Sequence, residues 1–263
     1  MMVNLLFVGD IVGRPGRRAV QVLLPELVRT YRPDAIIANG ENAAGGFGLT
    51  RETANELFEF GVTVLTTGNH VWNKKEFYQS LETDERVIRP ANYPKGAPGR
   101  GWMVTELPSG IRLGVINLSG RVFMTPLDCP FRVANTLAAE LSRECDIIVV
   151  DFHAEATSEK VAMGWFLDGK VASVVGTHTH VQTADERILP HGTAYITDLG
   201  MTGPVDSVLG VRKDIIIQRF LSGLPAKFET APGPAQLQGA VVTVDESTGK
   251  ARKIERVRVT TAD

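Results

Sequence analysis

Near its N-terminus the chain reads Val3-Asn4-Leu5-Leu6-Phe7-Val8-Gly9-Asp10, an apolar run that ends in glycine and aspartate. A short apolar run bounded by such residues is typical of a buried β-strand. A helical pattern from about Pro15 to Thr30 and a second strand at 34–39 follow it. The same order repeats with a helix at 51–60 and a strand at 62–66. This βαβαβ beginning predicts parallel strands joined by right-handed crossovers.

The later part of the chain predicts antiparallel pairs as well. Residues 101–107 and 111–118 flank a Pro-Ser-Gly turn, which predicts a β-hairpin. Residues 238–244 and 253–259 read as a second antiparallel pair. Between these two pairs we expect helices at 132–143 and 158–167 and strands at 146–150, 171–175 and 193–197.

Parallel and antiparallel patterns together predict a mixed α/β fold, a sandwich of two mixed β-sheets flanked by helices. The segment from Gly223 to Gly239 holds three prolines and reads as a loop-rich connection. It is neither long nor polar enough to divide the chain. We therefore expect a single domain over residues 1–263.

Composition excludes several classes of protein. Lys plus Arg number 28 and Asp plus Glu number 30, a formal net charge of −2, so neither a stable nucleic-acid partner nor an acidic disordered tail is expected. No apolar run reaches the roughly 18–20 residues of a membrane span. The two cysteines, Cys129 and Cys145, are too few for a disulfide framework and lack metal-binding spacing. These features favour a reduced, cytoplasmic protein.

Five predicted strand ends share one layout, a short turn that presents side chains able to bind a metal. The five are Gly9-Asp10, Gly40-Glu41-Asn42, Gly68-Asn69-His70, Asp151-Phe152-His153 and Gly176-Thr177-His178-Thr179-His180. Carboxyl ends of parallel strands are where α/β sheets place ligands. In an extended segment, residues two apart point to the same face, so His178 and His180 can converge. The joint pattern predicts a metal site.

The ligand types indicate which metals suit this site. There is no thiolate set, so a structural zinc site is not expected. Carboxylate, amide and imidazole ligands suit iron, manganese or zinc. About seven candidate ligands are more than one tetrahedral ion needs. Two ions that share a carboxylate such as Glu41 would account for the whole set. Paired metals about 3.5–4 Å apart recur in enzymes that cleave phosphate esters.

The same turns resemble those of the calcineurin-like metallophosphoesterases, and most closely the YmdB-type branch, which hydrolyses cyclic nucleotides. The resemblance covers nearly the whole chain. Its longest strings lie at 9–17 (GDIVGRPGR), 39–50 (NGENAAGGFGLT), 151–160 (DFHAEATSEK) and 176–185 (GTHTHVQTAD). It implies a four-layer αββα arrangement of the two sheets and their helices.

One departure from the wider superfamily defines the branch. The superfamily begins with Asp-x-His, in which both side chains bind metal, whereas this chain has Asp10-Ile11-Val12. The usual bridging aspartate is replaced by Glu41, and Asn42 is a substitute ligand for the first metal. The YmdB-type branch shares this departure.

The resemblance also implies residue roles. One ion would take Asp10, Glu41, Asn42 and His180, and the other Glu41, Asn69, His153 and His178. A hydroxide bridging the ions would attack phosphorus in line with the leaving oxygen, and His70 resembles the general acid that protonates it. The implied substrates are 2',3'-cyclic nucleotides. Iron is the metal we expect first, with manganese or zinc as alternatives, and a homo-oligomer is compatible with the sequence.

Two alternatives remain open at this point. The same metals serve phosphomonoesterases and protein phosphatases of this superfamily. A protein of a different class would keep the metal site as a nucleotide sensor without fast turnover. A complete ligand set together with His70 favours an enzyme, since a binding protein needs no proton donor.

Further residues are candidates for substrate contact. Phe47, in a glycine-rich loop, either stacks on a base or belongs to a flexible turn, and Arg14 either contacts phosphate or lies on a solvated face. Asp151 and Glu155 flank His153 and either orient an imidazole or form salt bridges. The segment 197–204 is expected to be a loop beside the substrate.

Overall fold

The computed structural model describes residues 1–261, which contain fourteen β-strands and six α-helices. The strands are β1 (Met2–Val8), β2 (Asp10–Ile11), β3 (Ala35–Asn39), β4 (Val64–Thr66), β5 (Val87–Ile88), β6 (Trp102–Glu106), β7 (Arg112–Ser119), β8 (Ile147–His153), β9 (Ser173–Thr177), β10 (Arg187–Ile188), β11 (Ala194–Ile196), β12 (Met201–Pro204), β13 (Ala235–Asp245) and β14 (Lys250–Thr260). The helices are α1 (Gly13–Tyr31), α2 (Arg51–Glu59), α3 (Tyr78–Thr83), α4 (Pro130–Leu141), α5 (Thr157–Leu167) and α6 (Lys213–Ser222).

The first sheet has eight strands in the order β2-β12-β13-β1-β3-β4-β5, with β14 also paired to β13. Strands β1, β3, β4 and β5 are parallel, as the βαβαβ pattern predicts. Strand β13 from the end of the chain pairs antiparallel with β1, so that Leu5 lies opposite Val242. The first and last described strands, β1 and β14, therefore lie in the same sheet.

The second sheet has six strands in the order β10-β11-β9-β8-β7-β6. Its four central strands are parallel, and the edge strands β6 and β10 are antiparallel to their neighbours. The predicted hairpin is β6 and β7, with Met103 opposite Val115. Both sheets are thus mixed, as expected.

Three apolar cores separate four layers. The first lies between sheet one and helices α1 and α2, where Leu6 and Leu24 are buried. The second lies between the two sheets, where Phe7 and Val149 are buried. The third lies between sheet two and helices α4 and α5, where Phe152 is fully buried. Alternate residues of β1 enter the first two cores, as the two-residue period of a strand requires. The order of layers is αββα.

Helix starts follow local chemistry. Pro15 lies in the first turn of α1, where the missing N–H costs little. Thr50 caps α2: its hydroxyl accepts from the backbone N–H of Thr53, whose own hydroxyl bonds back to the N–H of Thr50. These local features set the residue at which α1 and α2 begin, shortly after strands of the first sheet.

Two expectations about the later chain need correction. Segment 197–204 is not a loop throughout, because Met201–Pro204 forms β12 and pairs with β2 and β13. The loop-rich connection ends earlier than predicted, since β13 begins at Ala235. Helix α6 was not predicted.

Among the described residues, no helix combines the length and the apolar character that crossing a membrane requires.

Candidate metal centre

Strand ends from both sheets meet at one place. In the first sheet, Asp10 begins β2, while Glu41 and Asn42 follow β3 and Asn69 and His70 follow β4. In the second sheet, His153 ends β8, and His178 and His180 follow β9. Each of these strands is parallel to its neighbours in the sheet or extends a parallel strand. The fold therefore brings the predicted ligands together at the carboxyl ends of the strands.

Three donor atoms surround the Nε2 atom of His153, which makes a group of four. This Nε2 atom lies 3.0 Å from Oε1 of Glu41, 3.0 Å from Oδ1 of Asn69 and 3.0 Å from Nδ1 of His178. Donor atoms that share one ion at about 2.0–2.2 Å are themselves about 3–3.5 Å apart. These distances fit a shared cation, and this group is the predicted second ligand set.

Two buried oxygens nearby belong to the other predicted set. Within residues 1–261, Oδ1 of Asp10 and Oδ1 of Asn42 are buried and have no hydrogen-bond partner. Oδ1 of Asp10 lies 3.8 Å from Nε2 of His180. The Asn42 amide nitrogen donates to the Gly46 carbonyl at 2.9 Å, so the amide oxygen remains free. Unpaired buried oxygens are costly, and a cation would satisfy both.

Gly68 provides the space that the cluster needs. A Cβ atom at this position would lie 2.2 Å from Cδ2 of His153 and 2.4 Å from Oε2 of Glu41. Real Cβ atoms do not approach other atoms so closely, so a side chain here would displace ligands. The glycine of the Gly-Asn-His turn is therefore required for room.

A chain of hydrogen bonds orients His153 from behind. Thr177 donates its hydroxyl proton to Oδ1 of Asp151 at 2.7 Å, so the hydroxyl oxygen accepts from Nδ1 of His153 at 2.9 Å. Asn39 also donates to Asp151, at 3.2 Å. This arrangement turns the Nε2 atom toward Glu41 and the other donors. Asp151 acts on the imidazole through Thr177 rather than by direct contact.

The turn after β9 holds two of the predicted ligands in an unusual backbone conformation. His178 and His180 have φ values of 95° and 62°, in the left-handed region that non-glycine residues rarely adopt. Asp198 braces the turn, because its Oδ2 atom accepts from Thr179 Oγ1 at 2.6 Å and from Lys160 Nζ at 2.7 Å. Lys160 and Asp198 are both buried.

The outer ring nitrogens of these two histidines are also bound. Nε2 of His178 lies 3.1 Å from a carboxylate oxygen of Glu155, and Nδ1 of His180 lies 3.2 Å from the carbonyl oxygen of Leu209. Each contact leaves the other ring nitrogen directed at the cluster. Glu155 therefore contacts the imidazole of His178 and not that of His153, which it flanks in the sequence.

Burial and opposite charge shift the pKa values within the cluster. Burial raises the pKa of Asp10 to about 6, against the effect of neighbouring imidazoles. Burial also opposes ionisation of Glu41, but the charge and hydrogen bonds of His153 and His70 together outweigh it and lower the pKa of Glu41 to about 2. Burial disfavours a charged His153, yet Glu41 and Asp10 raise the pKa of His153 to about 9. Burial and then charged His153 lower the pKa of His178 to about 3. The carboxylates therefore favour positive charge at this place.

A cavity of about 390 Å³ opens over the cluster. Glu41, Asn42, His178 and His180 contribute to its lining, and so does His70. The His70 backbone N–H donates to Oε2 of Glu41 at 3.0 Å, which fixes His70 beside the ligands. The volume lies within the range of about 300–1,000 Å³ typical of small-molecule sites.

Of the residues predicted to contact substrate, some line this cavity and others do not. Phe47 lines it, and its ring meets His70 edge-on with centroids 5.0 Å apart. Arg14 is exposed on α1 and is not among the residues that line the cavity. The segment 197–204 does not line it either. Phe228 and Arg219 do, and no sequence pattern had pointed to either.

Comparison with known proteins assigns the family. A family model described as YmdB-like protein matches residues 6–257. The chain belongs to the YmdB-like family. This YmdB-like chain is 50% identical over 256 residues to a Bacillus subtilis (strain 168) protein named 2',3'-cyclic-nucleotide 2'-phosphodiesterase, with 97% of each chain covered.

Solved structures agree with this assignment. One from Thermus thermophilus superposes with a TM-score of 0.93 at 43% identity and covers 99% of this chain and 100% of that one. A second, from Mycoplasma pneumoniae, is titled a novel phosphatase. It has a TM-score of 0.93 at 37% identity, and the match covers 99% of this chain and 94% of that one. The predicted family and fold class are therefore confirmed.

Proposed function

We propose that this YmdB-like chain is a dimetal phosphodiesterase that hydrolyses 2',3'-cyclic nucleotides. One observation carries the proposal: seven metal-capable side chains from both sheets lie at one place, and four of them line a cavity that His70 also lines. The family and the name of the Bacillus subtilis relative support the same activity.

The residues divide into the two ligand sets predicted above. Asp10, Glu41, Asn42 and His180 would hold one ion, and Glu41, Asn69, His153 and His178 the other. Oxygen and imidazole donors without thiolates suit iron, manganese or zinc, and we propose iron first. When bound, the ions supply an activated water nucleophile and neutralise charge on the phosphoryl oxygens.

His70 is the proposed proton donor. Water adds to phosphorus and the bond from phosphorus to the leaving ribose oxygen breaks. That oxygen takes a proton from the His70 imidazolium and leaves as a hydroxyl group. The proton lost by the water returns to solvent and His70 is reprotonated. The contact between the His70 N–H and Glu41 holds this residue next to the metal ligands, where a leaving oxygen would lie.

The name of the Bacillus subtilis relative also supports a choice of bond. It specifies a 2'-phosphodiesterase, so we propose that the bond between phosphorus and O2' breaks and a 3'-phosphate remains. Identification of the product tests this choice, because 3'-AMP and 2'-AMP separate by chromatography.

A second function, phosphomonoester hydrolysis, has one observation in its favour. The Mycoplasma pneumoniae structure is titled a phosphatase. The cavity of about 390 Å³ suits a small ester better than a folded phosphoprotein. A nucleotide sensor with the same metal site would bind the nucleotide without turnover.

A substrate panel separates these functions. The full-length chain, loaded with iron or manganese, is assayed over a range of concentrations of 2',3'-cyclic AMP, 3'-AMP and a phosphoserine peptide. We expect the cyclic diester to give the highest kcat/KM and 3'-AMP to accumulate. Faster release of phosphate from 3'-AMP or from the peptide would contradict the proposal, and so would tight binding of cyclic AMP without hydrolysis.

A further inference from the structure

The cavity contains apolar aromatic surface that metal chemistry alone does not need. Phe47 and Phe228 both line it, and the cavity is continuous with the metal ligands. We infer that these two rings form the binding surface for the nucleobase, so that the base stacks on them while the phosphate meets the metal centre. This inference rests on the proposed function and names the part of the site that recognises the base.

The orientation of the two rings suits a planar ligand. Their planes are inclined by 23° and their centroids lie 6.4 Å apart. A base aligned with one ring is therefore within 23° of parallel to the other. Both side chains are only partly buried, so the rings retain surface that a ligand can contact. Stacking of a base on an aromatic side chain is one of the main sources of affinity for nucleotides.

Phe47 is fixed relative to the metal ligands. It lies in a loop whose Gly45, Gly46 and Gly48 have φ values of 72°, 98° and 77°. The side-chain amide of Asn42 donates to the carbonyl of Gly46 at 2.9 Å, which joins the loop to a proposed ligand. The Phe47 ring also contacts His70, so it bridges the proton donor and the rest of the aromatic surface.

Phe228 is held from the other side of the cavity. The next residue, Glu229, accepts from the Arg212 backbone N–H at 3.0 Å and pairs with the Arg212 guanidinium at 2.9 Å. The Arg219 guanidinium lies 4.9 Å from the Phe228 ring centroid. Phe228 therefore belongs to a supported segment, although it lies outside any helix or strand.

The chemistry of the cavity favours a nucleobase over other groups. Arg219 is the one lysine or arginine that lines it among the described residues, so it does not form a phosphate-binding cluster. The proposed metal ions would already bind the phosphate. A small phosphate monoester would leave Phe47 and Phe228 without a contact. A base linked to the cyclic phosphate through ribose would occupy both parts of the cavity.

Two substrates that differ only in the base provide the test. One is 2',3'-cyclic AMP and the other is the 2',3'-cyclic phosphate of 1-O-methylribose. We compare wild type with Phe228→Leu, which keeps apolar bulk, and Phe228→Tyr, which keeps an aromatic ring. Phe228 is chosen because Phe47 also contacts the proton donor. Phe123→Leu is the matched control, since Phe123 is 91% exposed and lies outside the cavity.

We expect Phe228→Leu to lower the ratio of kcat/KM for cyclic AMP to that for the base-free ester by about 5-fold or more, mainly through KM. Phe228→Tyr and Phe123→Leu should keep the wild-type ratio. An unchanged ratio in Phe228→Leu would overturn the inference, and so would an equal fall for both substrates.

Adenosine binding keeps the test independent of catalysis. Calorimetric titration of the full chain with adenosine should give a dissociation constant that rises at least about 5-fold in Phe228→Leu, as base stacking predicts. If wild type hydrolyses neither ester, the proposed function fails and this titration alone decides the inference. No adenosine binding by wild type, or equal binding by both proteins, would overturn it.

Discussion

Each histidine of the cluster is fixed through the ring nitrogen that faces away from the other donors. Thr177 binds His153, Glu155 binds His178 and the Leu209 carbonyl binds His180. Such contacts set the ring orientation and raise the basicity of the opposite nitrogen. We therefore expect the metal affinity of the proposed site to depend on residues that are not themselves proposed ligands.

Thr177→Val tests this dependence for His153. Valine keeps the shape of threonine but removes the link between His153 and Asp151. We expect metal affinity to fall about 10- to 100-fold. Competition with a chelator measures the change. Thr193→Val is the control, because Thr193 is also buried and hydrogen-bonded but lies away from the cluster. Equal metal affinity in the Thr177 and Thr193 variants would contradict the role of Thr177.

His70→Ala tests the proton donor. The residue is anchored to Glu41 only through its backbone, so the substitution leaves that contact intact. We expect the variant to retain both metals, measured by elemental analysis, and to lose about 10²–10⁴-fold in kcat. Wild-type turnover with full metal content would exclude His70 from proton transfer.

At the level of elements, the decisive feature is the turn that follows β9. The turn places two proposed ligands in left-handed conformations, each of which costs free energy. The buried pair of Lys160 from α5 and Asp198 after β11 compensates by holding Thr179 between them. Helix α5 thus supports the proposed metal centre from outside the sheet.

Lys160→Met tests this support. The variant leaves the Asp198 carboxylate buried without its cation, and removing one partner of a buried pair costs about 3–5 kcal/mol. We expect a loss of this size in the free energy of unfolding, measured by urea denaturation. Lys253→Met is the matched control because Lys253 forms an exposed pair with Glu255, and we expect little change there. Equal stability of the two variants would contradict the proposed support.

The sequence predicted the longer elements and the strand-end turns, for identifiable reasons. Strands such as β1 and β8 are largely apolar runs, and each proposed ligand lies at the end of such a run or within a few residues after it. Helix α6 was not predicted because its apolar residues do not lie along one face of the helix, and Ile216 is its only buried residue. Two-residue strands such as β2 are too short to show a period.

The supporting residues of the site could not be predicted in the same way. Lys160 and Asp198 are 38 residues apart, and only the packing of α5 against the second sheet brings them together. Phe228 lies in the loop-rich segment, where no periodic pattern indicates which face is buried. Side chains able to bind metal can be recognised in the sequence because their chemistry is specific. The residues that contact and support them cannot, because those contacts depend on the complete fold.

At the scale of the whole molecule, the proposed metal centre joins the two sheets. The first sheet contributes Asp10, Glu41, Asn42 and Asn69, and the second contributes His153, His178 and His180. The four-layer αββα prediction is confirmed by the three separate cores. The hydrolase class is confirmed at the level of the family, whose matched relatives are named as a phosphodiesterase and a phosphatase.

Because ligands come from both sheets, metal should stabilise the molecule as a whole. Binding to the folded state alone contributes about 2.7 kcal/mol at a metal concentration 100 times Kd. For a chain of this size we expect the unfolding temperature to rise by about 5–10 °C. Calorimetry of chelated and reconstituted protein measures the shift. An unfolding temperature independent of metal would contradict a centre shared by the two sheets.

The most direct test of the dimetal centre combines metal content with turnover in wild type and Glu41→Gln. Glu41 is the one side chain placed in both ligand sets, and glutamine keeps its shape while removing its charge. We predict about two metals per wild-type chain with hydrolysis of 2',3'-cyclic AMP, and a fall in both quantities in the variant. A wild-type chain that binds no metal after reconstitution with iron or manganese would contradict the account.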